Sequence, residues 1–423
     1  MPQTTTEHEG PSTYSDYLRR ASSREGEAAR ATAPGECSSP SGARCRLCMA
    51  GTLLYEQEYP LKAAALTEFW SATLPGVPLA ELAPSVRGRE YRFVSKRKAY
   101  RDGRSIRLGL IDPEERASGG FISVGRCAIE PPAHAAIYQA AGQILASPEA
   151  GGLASVLRYV IVKGDDTEYL VLLNVGPMHP EVVRAAGAFS KQLARKAPDV
   201  KSLLLYEDTT GGRYYLGSER GRVPRVRKIF GRENLLVRAG GRPFLFGPLA
   251  FSQVNRSMIE PLVREVGTLL KLRPSQTLFD LYCGYGLFAL SLAGSVRAVV
   301  GVESGRDAVD AARANAERHR TRTARFMQSD ISGQTIGRVM RDAAPGDAVI
   351  LDPPRGGTAP GVIEGIAARA PARVVHIFCN IEGIEGELSR WASHGYAARQ
   401  AVPFDLFPGT ASVEVMVLLT PAG

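Results

Sequence analysis

Between residues 277 and 419, short apolar runs alternate with segments of helical character, and this alternation restricts the fold more than any other feature. Residues 277–282, 298–303, 324–328, 348–351 and 374–379 read as strands. Residues 257–272, 288–293, 306–319, 333–341, 362–368 and 383–394 read as helices. Near-continuous apolar strands separated by helices predict βαβ units around a parallel sheet buried on both faces. The fold class is therefore α/β, with a Rossmann-like C-terminal domain over 245–423. Residues 397–405 and 413–419 have no helix between them and predict an antiparallel hairpin at the sheet edge.

Upstream the pattern differs. Residues 91–110 read as two basic strands around Asp102-Gly103, and 159–162 with 169–175 as a hairpin. Residues 132–145 and 182–195 read as helices, and 202–206 as a strand. These predict an α+β central domain over 51–244, mostly antiparallel. Residues 1–36, rich in Ser, Thr, Glu, Ala and Arg, are expected to be a disordered tail. Residues 37–50 form a separate cysteine segment. No internal repeat is evident.

Of 423 residues, 44% are hydrophobic and 22% charged, which excludes collagen, a coiled coil and wholesale disorder. No charge-free apolar run reaches the ~18 residues of a membrane span, and residues 1–30 lack the apolar core of a secretory signal. A cytoplasmic protein with no membrane partner is expected. Lys and Arg total 52 against 43 Asp and Glu, a net charge of +9. That excess suits a polyanion such as nucleic acid, or simply a solvated basic surface. It concentrates in two stretches. Residues 91–109 interleave Arg92, Lys96, Arg97, Lys98, Arg101, Arg104 and Arg107 with Tyr91, Phe93 and Tyr100. Residues 218–232 hold Arg220, Arg222, Arg225, Arg227, Lys228 and Arg232. Phosphate contact with base stacking is the functional reading of both. The six histidines have no metal-binding spacing.

Three motifs carry chemistry. In the first, an apolar strand ends at Asp280 and runs into Cys283-Gly284-Tyr285-Gly286 and a helix. Glycines there let a ligand approach the backbone at the carboxyl end of the first strand, and Glu303 at the end of the second can accept from ribose hydroxyls. The spacing is not G-x-G-x-x-G, so a nucleoside ligand without a pyrophosphate, such as S-adenosylmethionine, fits better than a dinucleotide. A tight turn with no ligand would look similar. The second motif is Asp352-Pro353-Pro354-Arg355 after the fourth strand, seen in S-adenosylmethionine enzymes acting on bases. Its prolines leave neighbouring carbonyls free to accept hydrogen bonds. The third places Cys379 at a strand end, as a packed thiol or a nucleophile. With it comes Glu414, a carboxylate inside the apolar run Val413, Val415, Val417 that needs a role or an ion pair there.

Asp280-Leu281-Tyr282-Cys283-Gly284, Asp352 to Arg355, Cys379-Asn380, Phe404 to Pro408, Val413-Glu414 and the Phe251-Ser252-Gln253-Val254-Asn255 stretch, in this order, resemble the RNA uracil-5 methyltransferase family. The resemblance covers residues 251–419 and is weaker upstream. It implies methylation of C5 of a uridine in RNA. S-adenosylmethionine would be held by Gln253, Tyr282, Leu287, Glu303, Asp330 and Asp352, with Cys379 as nucleophile and Glu414 as base. Two departures bear on base recognition: Ile381 replaces the family's proline after Cys-Asn, and Gly409 with Ser412 replace a glutamine and a histidine.

Cys37, Cys45 and Cys48, with Cys127 downstream, offer four thiolates, a set suited to an Fe–S cluster or zinc. The resemblance favours a 4Fe–4S cluster, as in the iron–sulfur members acting on 23S rRNA. The small N-terminal β-barrel of many members is expected to be absent. RNA is thus the expected partner, with 23S rRNA favoured over tRNA and no protein partner implied. The competing readings are a methyltransferase acting on another base or on protein without covalent catalysis, and a non-catalytic RNA-binding protein.

Overall fold

The computed structural model describes residues 13–29, 47–103, 105–111, 120–165, 167–212, 215–216 and 224–423. Cys37, Cys45, Arg104, Arg220 and Arg222 lie outside the described residues. Two helices come first, α1 (Tyr14–Ala29) and α2 (Tyr55–Thr73). Helix α1 occupies part of the stretch expected to be a disordered tail. Tyr14, Tyr17, Leu18 and Ala21 recur at helical spacing and form one apolar stripe. The stripe packs on α2, with Tyr14 and Tyr17 edge-on to Phe69.

The central region contains β1 (Val94–Asp102), β2 (Ser105–Ile111), β3 (Phe121–Ile122), α3 (Pro132–Leu145), α4 (Gly151–Ala154), β4 (Leu157–Asp165), β5 (Glu168–Val175), α5 (Pro180–Lys196), β6 (Val200–Glu207) and β7 (Val226–Gly231). They make a seven-stranded sheet of order β3-β2-β1-β4-β5-β6-β7. Only the β5–β6 pair is parallel. Alternation by two residues splits each inner strand between two cores. Val160, Val162, Val171 and Leu173 face α3 and α5. Tyr159, Ile161, Leu170 and Leu172 face the opposite side, joining a core that continues into the C-terminal domain.

The remaining elements are a ribbon of β8 (Leu235–Ala239) and β9 (Arg242–Phe246), then α6 (Ile259–Leu270), β10 (Thr277–Leu281), α7 (Leu287–Leu292), β11 (Ala298–Glu303), α8 (Arg306–Arg318), β12 (Ala324–Gln328), α9 (Ile336–Val339), β13 (Ala348–Leu351), α10 (Val362–Ala367), β14 (Arg373–Phe378), α11 (Ile384–Ser393), β15 (Tyr396–Phe404) and β16 (Glu414–Pro421). The second sheet runs β12-β11-β10-β13-β14-β16-β15. Its first five strands are parallel and β16 is antiparallel to both neighbours. The ribbon straddles the expected division at 244/245. Asn315 of α8 both donates to and accepts from the Leu245 backbone, at 2.8 and 2.7 Å, which fastens the ribbon to the C-terminal domain. Residues 78–83 run along β15, whose edge they cover through bonds such as Ala80 N–H to Ala401 O at 2.8 Å. Among the described residues no helix is long and apolar enough to cross a membrane.

Candidate active site

Parallel strands deliver their carboxyl ends to one edge, so the turns after β10, β11, β13 and β14 gather there. Strand β16 runs the other way. Its Val415 pairs with Phe378, the last residue of β14, so β16 begins where β14 ends. Glu414 and Cys379 therefore meet at that edge, with Asp352 following the neighbouring β13.

The electrostatics follow from this grouping. Burial, then the Glu414 and Asp352 carboxyls, push the half-buried Cys379 thiol up to about 11, with Arg355 opposing them. Burial, then Asp352, holds the Glu414 carboxyl well above the usual range. Burial, then Glu303, raises Asp352 to about 7. Acidic groups that hinder one another's ionisation make the crevice favourable for a cation.

The glycine turn shapes the other wall. Tyr282, Gly284 and Gly286 all have left-handed backbones, with φ of 66, 54 and 85°. A Cβ on Gly286 would stand 3.0 Å from Phe326, whereas one on Gly284 meets nothing within 4 Å, so Gly284 borders open space. Asp280 is fully buried beneath. Its Oδ2 accepts the Ala289 N–H at 2.9 Å, which ties down the first turn of α7, and Oδ1 has no partner among the described residues. Burial is the main cause raising its carboxyl to about 8. Glu303 accepts the Gly284 N–H at 3.3 Å and the Gly305 N–H at 2.8 Å. The two amides orient a carboxylate that keeps lone pairs for a ligand.

Of the other expected cofactor residues, Leu287 and Asp330 follow β10 and β12 at the same sheet edge. Leu287 follows Gly286 and is buried, and exposed Asp330 follows β12. Gln253 is buried in the loop that precedes α6, next to buried Ser252. Asn255 donates to Leu406 O at 3.2 Å, tying this loop to the chain leading to Glu414.

The residues that hold residues 405–412 in place were not evident in the sequence. They include Glu58 and Lys62 of α2, both fully buried. Their signal was present as an opposite-charge pair at helical spacing on a face that is otherwise apolar. Gly409, where the family resemblance led to glutamine, has φ of 85°. A Cβ there would stand 3.0 Å from Ile129, 3.5 Å from Ala50 and 3.7 Å from Cys48 Sγ. Cys48 and Ala50 thus occupy the space beside residue 409. Cys48 and Cys127 flank one small cluster with Ala50, Tyr91, Ala128 and Ile129. Among the described residues no group of three metal-ligating side chains occurs.

The basic stretches need one correction. Arg97 does not face a polyanion: it is buried in a two-pronged ion pair with Glu130, at 2.9 and 2.7 Å. Strand alternation turns Lys96 and Lys98 to the other face, where with Leu47, Leu110, Ile111 and Tyr159 they line a groove of about 260 Å³. Arg101 binds the Ala154 and Leu157 carbonyls and Arg92 that of Val94. Arg107 stacks on Phe121. In the second stretch Lys228 and Arg232 form exposed ion pairs with Glu233 and Glu168, and exposed Arg225 pairs with half-buried Glu207.

Residues 232–422 match the family model described as tRNA (Uracil-5-)-methyltransferase. An uncharacterized RNA methyltransferase of Geobacter sulfurreducens is 29% identical over 74% of this chain and 63% of its own length. The 23S rRNA (uracil(1939)-C(5))-methyltransferase RlmD of Aliivibrio fischeri is 34% identical over 42% of this chain and 40% of its own. The chain thus spans under two thirds of the length of both relatives. The Pyrococcus abyssi tRNA (uracil-54, C5)-methyltransferase, solved with S-adenosyl-L-homocysteine, superposes with a TM-score of 0.63 at 21% identity, over 87% of this chain and 84% of that one. It shares the fold.

Proposed function

We propose that the chain is a member of the tRNA (Uracil-5-)-methyltransferase family, whose model its residues 232–422 match, and that it methylates C5 of a uridine in RNA. The observation that carries the proposal is the convergence of Cys379, Glu414 and Asp352 beside the glycine turn, through the antiparallel pairing of β14 and β16. S-adenosylmethionine, when bound, supplies an electrophilic methyl group and leaves as S-adenosylhomocysteine. The residues fit it: Gly284 borders open space, Glu303 is oriented for ribose hydroxyls, and the acidic crevice favours a sulfonium. Gln253, Tyr282, Leu287, Asp330 and Asp352 complete the proposed site.

Uracil C5 is a weak nucleophile. The Cys379 thiol releases its proton to solvent, and addition of the resulting thiolate to C6 forms the S–C6 bond and moves the C5=C6 electron pair into an enolate with density at C5. C5 takes the methyl group, leaving one proton too many. Glu414 removes that proton, the C5=C6 bond reforms and the thiolate is expelled. The uridine must leave its stack to reach the crevice, at a few kcal/mol, which favours an unpaired target.

The substrate we favour is 23S rRNA in the cytoplasm, supported by the Aliivibrio relative. We also propose that Cys37, Cys45, Cys48 and Cys127 hold a 4Fe–4S cluster, with zinc as the alternative. The meeting of Cys48 with Cys127 at one small cluster, and the all-thiolate donor set, support it.

The test is trapping with 5-fluorouridine RNA. Fluorine at C5 blocks the final proton removal, so wild type should form an adduct that survives denaturation and Cys379→Ala should form none, with unchanged cofactor affinity. Substantial methyl transfer by Cys379→Ala would refute the covalent route. Methylation of tRNA transcripts, with protein-free 23S rRNA ignored, would reassign the substrate.

A further inference from the structure

The residues between β15 and Glu414 are held by a helix from the other end of the chain. Lys62 of α2 is fully buried, as are Glu58 on the same helix and Asp405. Lys62 Nζ lies 2.5 Å from Asp405 Oδ1, 3.3 Å from Phe407 O and 3.1 Å from Ser412 O. An ammonium has three N–H donors. Here they reach a carboxylate at the start of the loop and a backbone carbonyl near each end. Between these ends, Glu58 Oε1 accepts the Gly409 N–H at 2.5 Å, and Glu58 Oε2 takes Arg89 at 3.0 Å. Met49 N–H donates to Gly409 O at 2.6 Å, and Tyr91 Oη to Pro408 O at 2.8 Å.

Buried charges are a poor device for stability alone, since an apolar substitute of equal volume often serves as well. What an apolar side chain cannot do is bind two carbonyls and a carboxylate at set distances. We propose that Lys62 is a positioning residue for the reaction: by clamping both ends of residues 407–412 it sets the place of Glu414, two residues past Ser412, against the methylated uracil. The inference rests on the proposed role of Glu414. It assigns Lys62 to the proton-removal step and not to cofactor or RNA binding. The clamp also gives the departure at residue 409 a cause. A backbone N–H and carbonyl, held by Glu58 and Met49, anchor the loop there in a left-handed turn that leaves no space for a long side chain.

The experiment uses the full chain, S-adenosylmethionine and unmodified uridine RNA. Lys62→Met removes the cation at near-constant volume, and Lys62→Met/Asp405→Asn also neutralises its carboxylate partner so that no lone buried charge remains. Whichever variant binds S-adenosylmethionine as wild type does is then assayed. Misplacement by about 1 Å is worth roughly 100-fold, so kcat should fall by about that factor while KM for RNA stays within about threefold. A protein–RNA adduct should build up on denaturing gels, since addition and methyl transfer proceed but proton removal stalls. Wild-type kcat in either variant overturns the proposal, as does a rise in KM alone. So does loss of cofactor binding in both variants, because Lys62 would then hold the domain and not the loop. Wild type that forms no adduct with 5-fluorouridine RNA overturns the covalent mechanism itself, a separate outcome.

Discussion

Cys379 and Asp280 show how one edge of a sheet sets the ionisation of single groups. The Cys379 thiol, raised to about 11 by burial and by the Glu414 and Asp352 carboxyls, is protonated at neutral pH in the cofactor-free protein. Its alkylation by iodoacetamide, followed by peptide mass spectrometry, should rise roughly tenfold per pH unit below that value. Asp352→Asn removes a like charge that is ionised above about pH 7, so the thiol should titrate lower and react faster at about pH 8. A flat profile, or no effect of the substitution, would contradict the grouping. Asp280 behaves in the opposite sense to a salt-bridged carboxylate. Its folded pKa of about 8 lies above the ordinary 3.8 of an aspartate. The stability tied to its retained proton is complete below about pH 4 and is lost as pH rises towards 8, at up to ~1.4 kcal/mol per unit. Asp280→Asn keeps an acceptor for the Ala289 N–H and has no charge to gain. Urea unfolding from about pH 5 to 8 should show a shallower decline for this variant. Parallel declines would mean that Asp280 ionises freely.

At the scale of the element, β1 divides one basic run between two uses. Lys96 and Lys98 line the groove, and Arg97 between them points to Glu130 under α3. Replacing Lys96 and Lys98 together by Ala should weaken RNA binding and reduce the slope of log affinity against log salt by roughly 0.7 per lost phosphate contact. Arg97→Ala should leave that slope unchanged while destabilising the fold by about 3–5 kcal/mol, because it strands a buried carboxylate. If Arg97→Ala alone altered the slope, the inward orientation would be wrong. Helix α2 likewise carries an apolar stripe of Leu61, Leu66, Phe69 and Trp70 against the C-terminal sheet, and a buried charged pair against the loop before Glu414.

At the scale of the whole molecule, the N-terminal segments hold the stretch of the C-terminal domain that leads to Glu414. Residues 78–83 cover the β15 edge, α2 clamps the loop, and Met49 with Cys48 packs against Gly409. Metal at the cysteines should therefore be felt at the active site. Anaerobically purified protein should contain about four irons per chain. Cys48→Ser should lose them, and hydrogen exchange at residues 405–412 should quicken. Colourless protein with one zinc would assign the site to zinc, and unchanged exchange after metal loss would show that the segment does not support the loop.

The parallel strands were legible because both their faces are buried, so Leu278 and Ile350 in one core and Phe279 and Val349 in the other write a continuous apolar run. The glycine turn was legible because left-handed backbone demands glycine at positions such as Gly286. Those signals are local, set by periodicity and φ. Helix α2 is not legible in the sequence because Pro60 lies inside it and Glu58 and Lys62 occupy its buried face. The order of the last strands, with β16 between β14 and β15, also depended on pairing, and that pairing joins Cys379 to Glu414. Whether a charge is exposed or buried depends on what meets it. Lys62 meets Asp405 and Arg97 meets Glu130 only after folding, so the same residue types serve as a clamp, a core ion pair or a surface charge according to neighbours that no local pattern encodes.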